Sequence, residues 1–509
     1  MMEFFSARTR VRYHSDAAAL FAALGGIEAH DAVLLESADI ESKKKTRCVA
    51  VLQAALRVTC HGEQVHLKAL SATGEAMLAR LDGEAKQEAT FSFEASNAHD
   101  ERDRLLDRSQ VEILRRLQLD AGYEGEMLPF VVGGFAFDFV ATFEDLPEVQ
   151  PGPNTFPDYQ FLVAETLLSI DHRTQEAAVE AVGLSQDAAE AAVARLREQI
   201  EAIELEEPPL GQAQGTLDVH TNISDADFRQ AVSQLQGNIR QGDIYQVVPA
   251  RHFTCECPDA YIAYRHLRAT NPSPYMFYMR SVSEAGPYEL FGASPESNLT
   301  LEMPSRRVQL YPIAGTRPRG LNPDGSINHE LDIRAELDMR TDAKEVAEHS
   351  MLVDLARNDL ARVAVPATRK VAELLQVDRY SRVMHLISRV EATLHEDFDA
   401  LDAYRACMNM GTLTGAPKLR AMELLREVEG VRRGSFGGAV GYLRGDGSMD
   451  TCIVIRSAFV QNGQAVVQAG AGVVRDSVPQ LEADETLHKA YAVLHAIALA
   501  QGKEVEVHK

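Results

Sequence analysis

Four runs in the second half of the chain, YQVVPARHF, AVGYL, TCIVIRSAFV and QAVVQAGAGVV, set the limits on its fold. Each is short, rich in β-branched residues and bounded by Gly, Pro or polar residues, the signature of strands. Amphipathic stretches lie among them, including KLRAMELLREVEG and a final one from about Val478 to Ala500. Upstream, Ser224 is placed to cap a helix that carries Phe228, Val232, Leu235 and Ile239 at helical spacing, and Gly242 to stop it. Strands and helices interspersed in this way predict an α+β fold. No internal repeat of fixed period occurs, which excludes solenoids and propellers.

A chain of 509 residues exceeds the size at which one core keeps growing, so two domains or one bilobed unit is expected. Residues 1–205 mix strand-like runs such as AVLLES (Ala32 to Ser37) with helices, and end in an alanine- and glutamate-rich surface helix from about Asp187 to Ile203. LEEPPLGQAQGT follows. Its paired Pro208 and Pro209 cannot continue a helix, so 206–217 reads as a linker and 218–509 as a second domain.

Charge narrows the function. Lys plus Arg number 51 against 75 Asp plus Glu, a net charge of -24 that repels phosphate backbones and acidic membrane surfaces. Nucleic acid and membrane are therefore not expected partners. An anionic substrate would be repelled too, so a site for one must concentrate positive charge locally through arginine, a metal or helix N-termini. No run reaches the roughly 18 apolar residues of a membrane span, and MMEFFSARTRVRYHSD carries acid and base before any apolar run, so a cytoplasmic protein is expected. With only Cys255 and Cys257 close together, the six cysteines fit neither a disulfide framework nor a zinc site and are expected to be reduced and buried.

Several constellations could carry chemistry. Glu345 and Glu348 in TDAKEVAEHS, and Glu482 and Glu485 in QLEADETLHKAY, each lie three apart and share a helix face. Four converging carboxylates would repel one another unless a cation sat among them, and carboxylate, water and substrate oxygens are what Mg²⁺ prefers. Such pairs are also commonplace on solvated faces, and Glu485 with Lys489 makes an ordinary i, i+4 ion pair. NMGTLTGAPK, with Pro417 at the start of a helix, and AGAG (Ala469 to Gly472), after a strand, are Gly-rich turns that suit an anion or a flat ligand as well as a bare turn. Arg456 lies within the apolar run TCIVIRSAFV and needs an anionic partner, either a structural acid or a ligand carboxylate. His385 in SRVMHLISRV shares a strand face with Val383 and Ile387, and is placed either as a core histidine or for proton transfer. G-x-S-x-G, the P-loop and a dinucleotide fingerprint are all absent, which removes hydrolase, kinase and dehydrogenase readings.

The motifs IYQVVPARHF, NPSPYMFY, GASPES, YPIAGTRPRG, LVDLARNDLAR, DRYSRVMHLISRV, NMGTLTGAPK, TCIVIRSA, QAGAGVV and EADET occur in the order found in chorismate-utilising enzymes. Within that family the series most closely resembles anthranilate synthase large subunits, from LLES at Leu34 to EADET at Thr486. The resemblance implies the large chorismate-utilising fold, with sheets packed as a sandwich, helices outside and two lobes. It also implies a magnesium-dependent lyase that converts chorismate and ammonia into anthranilate and pyruvate, a committed step toward tryptophan. Glu348 and Glu485 would bind Mg²⁺ with Glu482 behind them, while Glu345 would act as general acid on the departing C4 hydroxyl. Arg456 would hold the enolpyruvyl carboxylate, and Gly315, Thr316, Thr412, Gly470 and Gly472 would line the pocket together with Lys489 and Phe436. His385 would remove the ring proton in the second half-reaction, and Glu296 belongs to the catalytic set by the same analogy.

Two positions separate this chain from relatives with other chemistry. Gln246 stands where isochorismate and salicylate synthases carry a water-activating lysine, and an amide cannot act as a base. Ala314 in PIAGT stands where aminodeoxychorismate synthases often have a lysine that attacks the ring. The resemblance also implies a tryptophan feedback site built from Glu36, Ser37, Arg47, Pro274, Tyr275, Met276, Phe277 and Cys452. No amidotransferase domain with its nucleophilic cysteine is recognisable, so ammonia from glutamine implies a separate small subunit, expected in a 2+2 heterotetramer. Phe436 replaces a common tyrosine, and Arg47 a common lysine. The other readings are an aminodeoxychorismate synthase component, which releases no pyruvate, and a catalytically silent tryptophan-binding relative.

Overall fold

The computed structural model describes residues 3–39, 44–84, 86–205, 215–322, 326–379 and 383–508. Residues 206–214 of the expected linker, and Tyr380 to Arg382 of the DRYSRVMHLISRV motif, lie outside that range. Among the described residues, 22 strands join in one hydrogen-bonded network with helices packed against it, an α+β architecture as expected. A separate short pair, Gln246–Val247 with Gly415–Ala416, sits beside it.

Side-chain alternation explains the central strands. In Tyr275–Ser283, Phe277 and Met279 enter one buried core while Met276 and Tyr278 enter another. Gly286–Ser294 divides likewise, with Leu290 in the first core and Phe291 and Ala293 in the second. Both faces are covered, which is why YMFYM reads as a continuous apolar run and not as an alternating one.

Each core draws on both sides of the linker. One gathers Phe135 and Phe161 with Phe277 and Val440; the other gathers Leu34 and Val179 with Tyr278 and Leu494. Strand pairing crosses the linker too. Ala32–Ala38 runs antiparallel to Tyr275–Ser283 with Glu36 opposite Met276, and Phe130–Phe135 runs antiparallel to Ala439–Arg444. Thr216 and Leu217, the last residues of the expected linker, already begin the strand Thr216–Thr221. The two stretches of sequence therefore share sheets and cores.

Local signals hold at most helix ends. The Ser224 hydroxyl accepts from the Asp227 amide at 3.1 Å, and Gly242, at φ 87°, ends the helix Asp225–Gln241. The helix Pro479–Ala500 buries Val493, Leu494 and Ile497 in the second core. Two expectations are corrected. Pro417 caps the helix Lys418–Glu429 instead of opening it. TCIVIRSAFV is not one strand: Met449–Ile453 and Ser457–Gln461 are separate, and the chain turns between them at Arg456 with φ 51°. The left-handed region is uncommon for a residue with a side chain. All six cysteines are buried and none is disulfide-bonded. No described helix is long and apolar enough to cross a membrane.

Phe135 sits at the centre of the larger core, fully buried, with its ring 4.2 Å from Tyr404, 4.8 Å from Phe161 and 5.7 Å from Tyr159. Phe135→Ala should therefore cost about 3–5 kcal/mol, read as a lowered urea midpoint. A midpoint equal to that of the parent contradicts this packing.

Candidate active site

Two helices deliver the acidic residues. Ala343–Ala361 carries Glu345 and Glu348 in its first turns, where the Asp342 carboxylate accepts from the Glu345 amide at 3.2 Å. Pro479–Ala500 carries Glu482, Glu485 and Lys489. The paired strands Ile313–Pro318 and Val383–Thr393 bring Gly315 and Thr316 against His385.

Gly315 links these groups because it has no side chain. It adopts φ 86°, and a Cβ there would stand 3.2 Å from Glu345 Oε2. Its carbonyl lies 3.3 Å from His385 Nδ1, and the Thr316 hydroxyl lies 2.9 Å from the same nitrogen. A carbonyl can only accept, which favours the ring proton on Nδ1 and leaves Nε2 as the basic nitrogen. Burial, reinforced by the charge of Arg456, pushes the histidine pKa down to about 4. The ring is therefore neutral at neutral pH and able to take a proton.

Around the Gly470–Gly472 turn, each carboxylate has a partner. Glu348 Oε1 accepts from the Gln246 side-chain amide at 3.1 Å, and a Cβ on Gly472 would meet the same two groups at 3.5 and 3.1 Å. Lys489 Nζ lies 2.6 Å from Glu485 Oε1 and donates to the Gly470 carbonyl at 3.0 Å, fixing the turn to the helix. Burial works against the Glu485 carboxylate, but Lys489, a hydrogen bond with Glu482 and the Arg456 charge outweigh it and hold its pKa low.

Arg456 faces this group. Burial pushes its pKa down, opposed by the charges of Glu485 and Glu296. Among the described residues no carboxylate lies within 4.0 Å ion-pair distance of its guanidinium. Glu296 is buried beside it and accepts from the Thr412 hydroxyl at 2.9 Å. Contacts thus join Glu345, Gly315, Thr316 and His385, Glu296 with Thr412, and Glu485 with Lys489 and Gly470, with Glu348 beside Gly472, while Arg456 acts on His385 and Glu485 through its charge. Phe436 stands apart, buried in the core with the Arg433 guanidinium 5.7 Å from its ring centre.

No three His, Cys, Asp or Glu side chains among the described residues converge into a ready metal cage. That suits Mg²⁺, which takes one or two carboxylates and completes its shell with water and substrate oxygens. Glu348 and Glu485, hard oxygen donors beside the Gly470–Gly472 turn, fit such an ion.

All residues expected at the feedback site line one cleft of about 910 Å³. The Glu36 carboxylate is already engaged there: Arg268 Nε lies 2.7 Å from Oε2, and the Tyr264 hydroxyl donates to the same oxygen at 2.7 Å. Ser37 hydrogen-bonds Thr46 at 2.6 Å, and Arg47 reaches Asp171 at 3.7 Å. Sequence reasoning missed Asp450, which lines the cleft, accepts from the Tyr275 hydroxyl at 3.1 Å and is pushed up to about 6 by burial. It also missed Arg317, whose partners Asp338, Asp342 and Glu345 lie at the end of one helix, in the break after it and at the start of the next, so that only the tertiary structure brings them together.

Glu296 supplies a pH test. Burial pushes its carboxyl from the usual 4.5 up to about 8, with Thr412, Lys489 and Arg456 opposing. Between those values the folded chain keeps a proton that the unfolded chain has released. Its contribution to stability is complete below pH 4.5 and is lost as pH rises through about 8. The slope reaches up to about 1.4 kcal/mol per pH unit. Glu296→Gln should flatten it in urea melts taken between pH 5 and 9, and an unchanged slope in the variant sinks the assignment.

A family described as chorismate binding enzyme matches residues 60–495. The chain is similar to anthranilate synthase component 1 of Vibrio cholerae, at 52% identity over 97% of this chain and 96% of that one. It is also similar to the protein of that name from Escherichia coli K12, at 49% identity over 96% of each. The crystal structure of anthranilate synthase component I from Streptococcus pneumoniae aligns with a TM-score of 0.72 at 28% identity, covering 88% of this chain and 92% of that one. Because the matched span contains every carboxylate of the candidate site together with His385 and Arg456, the chain belongs to the chorismate binding enzymes, on their anthranilate synthase component 1 branch.

Proposed function

We propose that this chain is the ammonia-using large subunit of an anthranilate synthase, converting chorismate into anthranilate and pyruvate. The observation that carries this reading is Arg456: a half-buried guanidinium without a carboxylate in ion-pair range among the described residues, opposite a gathering of glutamates. Chorismate is a dianion, and an acidic protein needs a dedicated cation for each end of it. Arg456 grips the enolpyruvyl carboxylate by a bidentate contact. Glu348 and Glu485, with Glu482 behind, would hold Mg²⁺, which when bound neutralises the ring carboxylate. The backbone around Gly315, Gly470 and Gly472 lets the flat ring lie close.

Hydroxide is a poor leaving group, so Glu345 delivers a proton to the C4 oxygen as ammonia attacks C2. Gln246 stabilises Glu348 and cannot activate water, which leaves ammonia as nucleophile. Ala314 offers no amine for covalent attack. His385 Nε2 then takes the C2 proton, pyruvate departs and aromaticity drives the step. Glu296, buried beside Arg456, holds Thr412 in place.

We propose further that a separate glutamine amidotransferase subunit supplies the ammonia in a 2+2 heterotetramer. In this arrangement residues 1–205 carry part of a tryptophan feedback site and 218–509 bind chorismate. With the Glu36 carboxylate committed to Arg268 and Tyr264, Asp450 is the better placed acid for the tryptophan ammonium, and Tyr275, Met276 and Phe277 offer the indole slot.

Purified protein given chorismate, Mg²⁺ and ammonium should release fluorescent anthranilate and pyruvate in equal amounts, and well-folded protein that makes neither refutes the proposal. His385→Ala should lower anthranilate formation by about 10²–10⁴-fold while aminodeoxyisochorismate accumulates. Tyr275→Ala should raise the tryptophan concentration needed for half-inhibition by about tenfold, the loss of one aromatic contact. Unchanged inhibition in that variant would move the tryptophan site elsewhere.

A further inference from the structure

Gly315 is an extra residue in the strand Ile313–Pro318. Ala314 stands opposite Leu386 and Thr316 opposite His385, so two steps along this strand match one along Val383–Thr393. With φ 86° Gly315 forms a glycine bulge, an irregularity that bends a strand and re-aims what it carries. The Gly315 carbonyl and the Thr316 hydroxyl, which both meet His385 Nδ1, belong to this bulge, so its shape sets the direction of the ring.

One buried side chain grips the residue before the bulge. His349, fully buried on the helix Ala343–Ala361, places Nδ1 3.3 Å from the Ala314 carbonyl and Nε2 2.7 Å from the Ser388 hydroxyl. Ser388, also fully buried, follows His385 by three residues on the same strand, and its hydroxyl accepts from the Leu375 amide at 3.0 Å. Leu375 marks a second irregularity: it has φ 53°, and the register of Lys370–Arg379 against Val383–Thr393 shifts around it. The strand of His385 therefore runs between two irregular neighbours, and the His349–Ser388 pair reaches both. A carbonyl can only accept, so His349 Nδ1 donates to Ala314 whether the ring is neutral or charged, and the grip does not depend on titration.

We infer that His349 is a positioning residue: by holding the Ala314 carbonyl it fixes the Gly315 bulge, which keeps the His385 proton on Nδ1 and presents Nε2 as the base. This rests on the reading of His385 as the group that removes the C2 proton, and the test separates the two. Glu348 precedes His349 on the helix, so a general loosening of that helix slows both half-reactions. Loosening of the bulge slows the second.

Two rates are measured: consumption of chorismate with saturating ammonium and Mg²⁺, and conversion of purified aminodeoxyisochorismate to anthranilate. The proteins are the parent, His349→Leu, His349→Asn, Ser388→Ala and, as control, His385→Ala. His349→Leu has no donor and should lower the second rate by about 30-fold while the first stays within about threefold, so that the intermediate accumulates. In His349→Asn the side-chain N–H can stand in for Nδ1–H and should recover part of the loss. Ser388→Ala frees the other end of the ring and should lower the second rate alone, by about threefold. Both rates falling together, an unchanged second rate, or an asparagine no better than leucine overturns the inference, because a merely structural histidine lowers the melting midpoint without splitting the half-reactions. If His349→Leu does not fold by circular dichroism, Ser388→Ala decides by the same split. His385→Ala converting the intermediate at the parental rate would instead refute the reading of His385 itself.

Discussion

The half-buried Arg456 guanidinium, with no carboxylate in ion-pair range among the described residues, makes demands on everything around it. Taking such a charge out of water costs several kcal/mol unless an anion compensates it. Glu485 meets that demand from beyond ion-pair distance, while Glu296 beside it keeps its proton up to about pH 8. Burial keeps His385 neutral with the charge of Arg456 reinforcing it, and Lys489, ahead of Glu482 and Arg456, holds Glu485 ionised. Arg456 thus contributes to the protonation of a base and of a carboxylate that come from different parts of the chain. It sits in a left-handed backbone turn at the seam between two strands, where the side chain leaves the sheet at an angle that a continuous strand would not allow.

The fold serves this arrangement by burying both faces of its central strands. With a core on each side, the sheet is a rigid partition, and the helices Ala343–Ala361 and Pro479–Ala500 fix their glutamates against its edge. His349 shows how tightly one of them is held. Wholly buried, it hydrogen-bonds Ser388 at 2.7 Å and approaches the Ala314 carbonyl at 3.3 Å, tying the helix of Glu345 and Glu348 to the two strands that carry Gly315 and His385. Lys489 does the same for the other helix by reaching the Gly470 carbonyl. Close approach at Gly315 and Gly472 shapes the site, because a methyl group at Gly315 would crowd Glu345 and one at Gly472 the Gln246 amide.

The second cleft follows a different logic. Its walls come from Ala32–Ala38, Lys45–His61, Tyr275–Ser283 and Met449–Ile453, strands that also form the wall between the two cores. A ligand there would press on the partition itself, and the partition runs on to the strands of the candidate active site. Glu36, the acid that the sequence offers for a bound ammonium, is engaged by Arg268 and Tyr264, while Asp450 lies in the cleft wall beside Tyr275.

Much of this was legible in the residues. Ser224 and Gly242 bounded their helix because capping is local, and the ordered motifs located Glu345, Glu348, Glu485, His385 and Arg456 because chemistry limits the residue types at such positions. The run TCIVIRSAFV misled, since composition does not reveal that the chain turns at Arg456. The linker around Pro208 suggested separate domains, yet strand pairing between residues hundreds of positions apart joined the two stretches in shared sheets. Local sequence determined the elements and the reactive groups, because capping, turn and propensity rules act over a few residues. Tertiary structure alone decided which groups meet. The engagement of Glu36 by Arg268, of Glu348 by Gln246 and of Arg317 by three acids depends on long-range registry, and registry is set by which faces can be buried together.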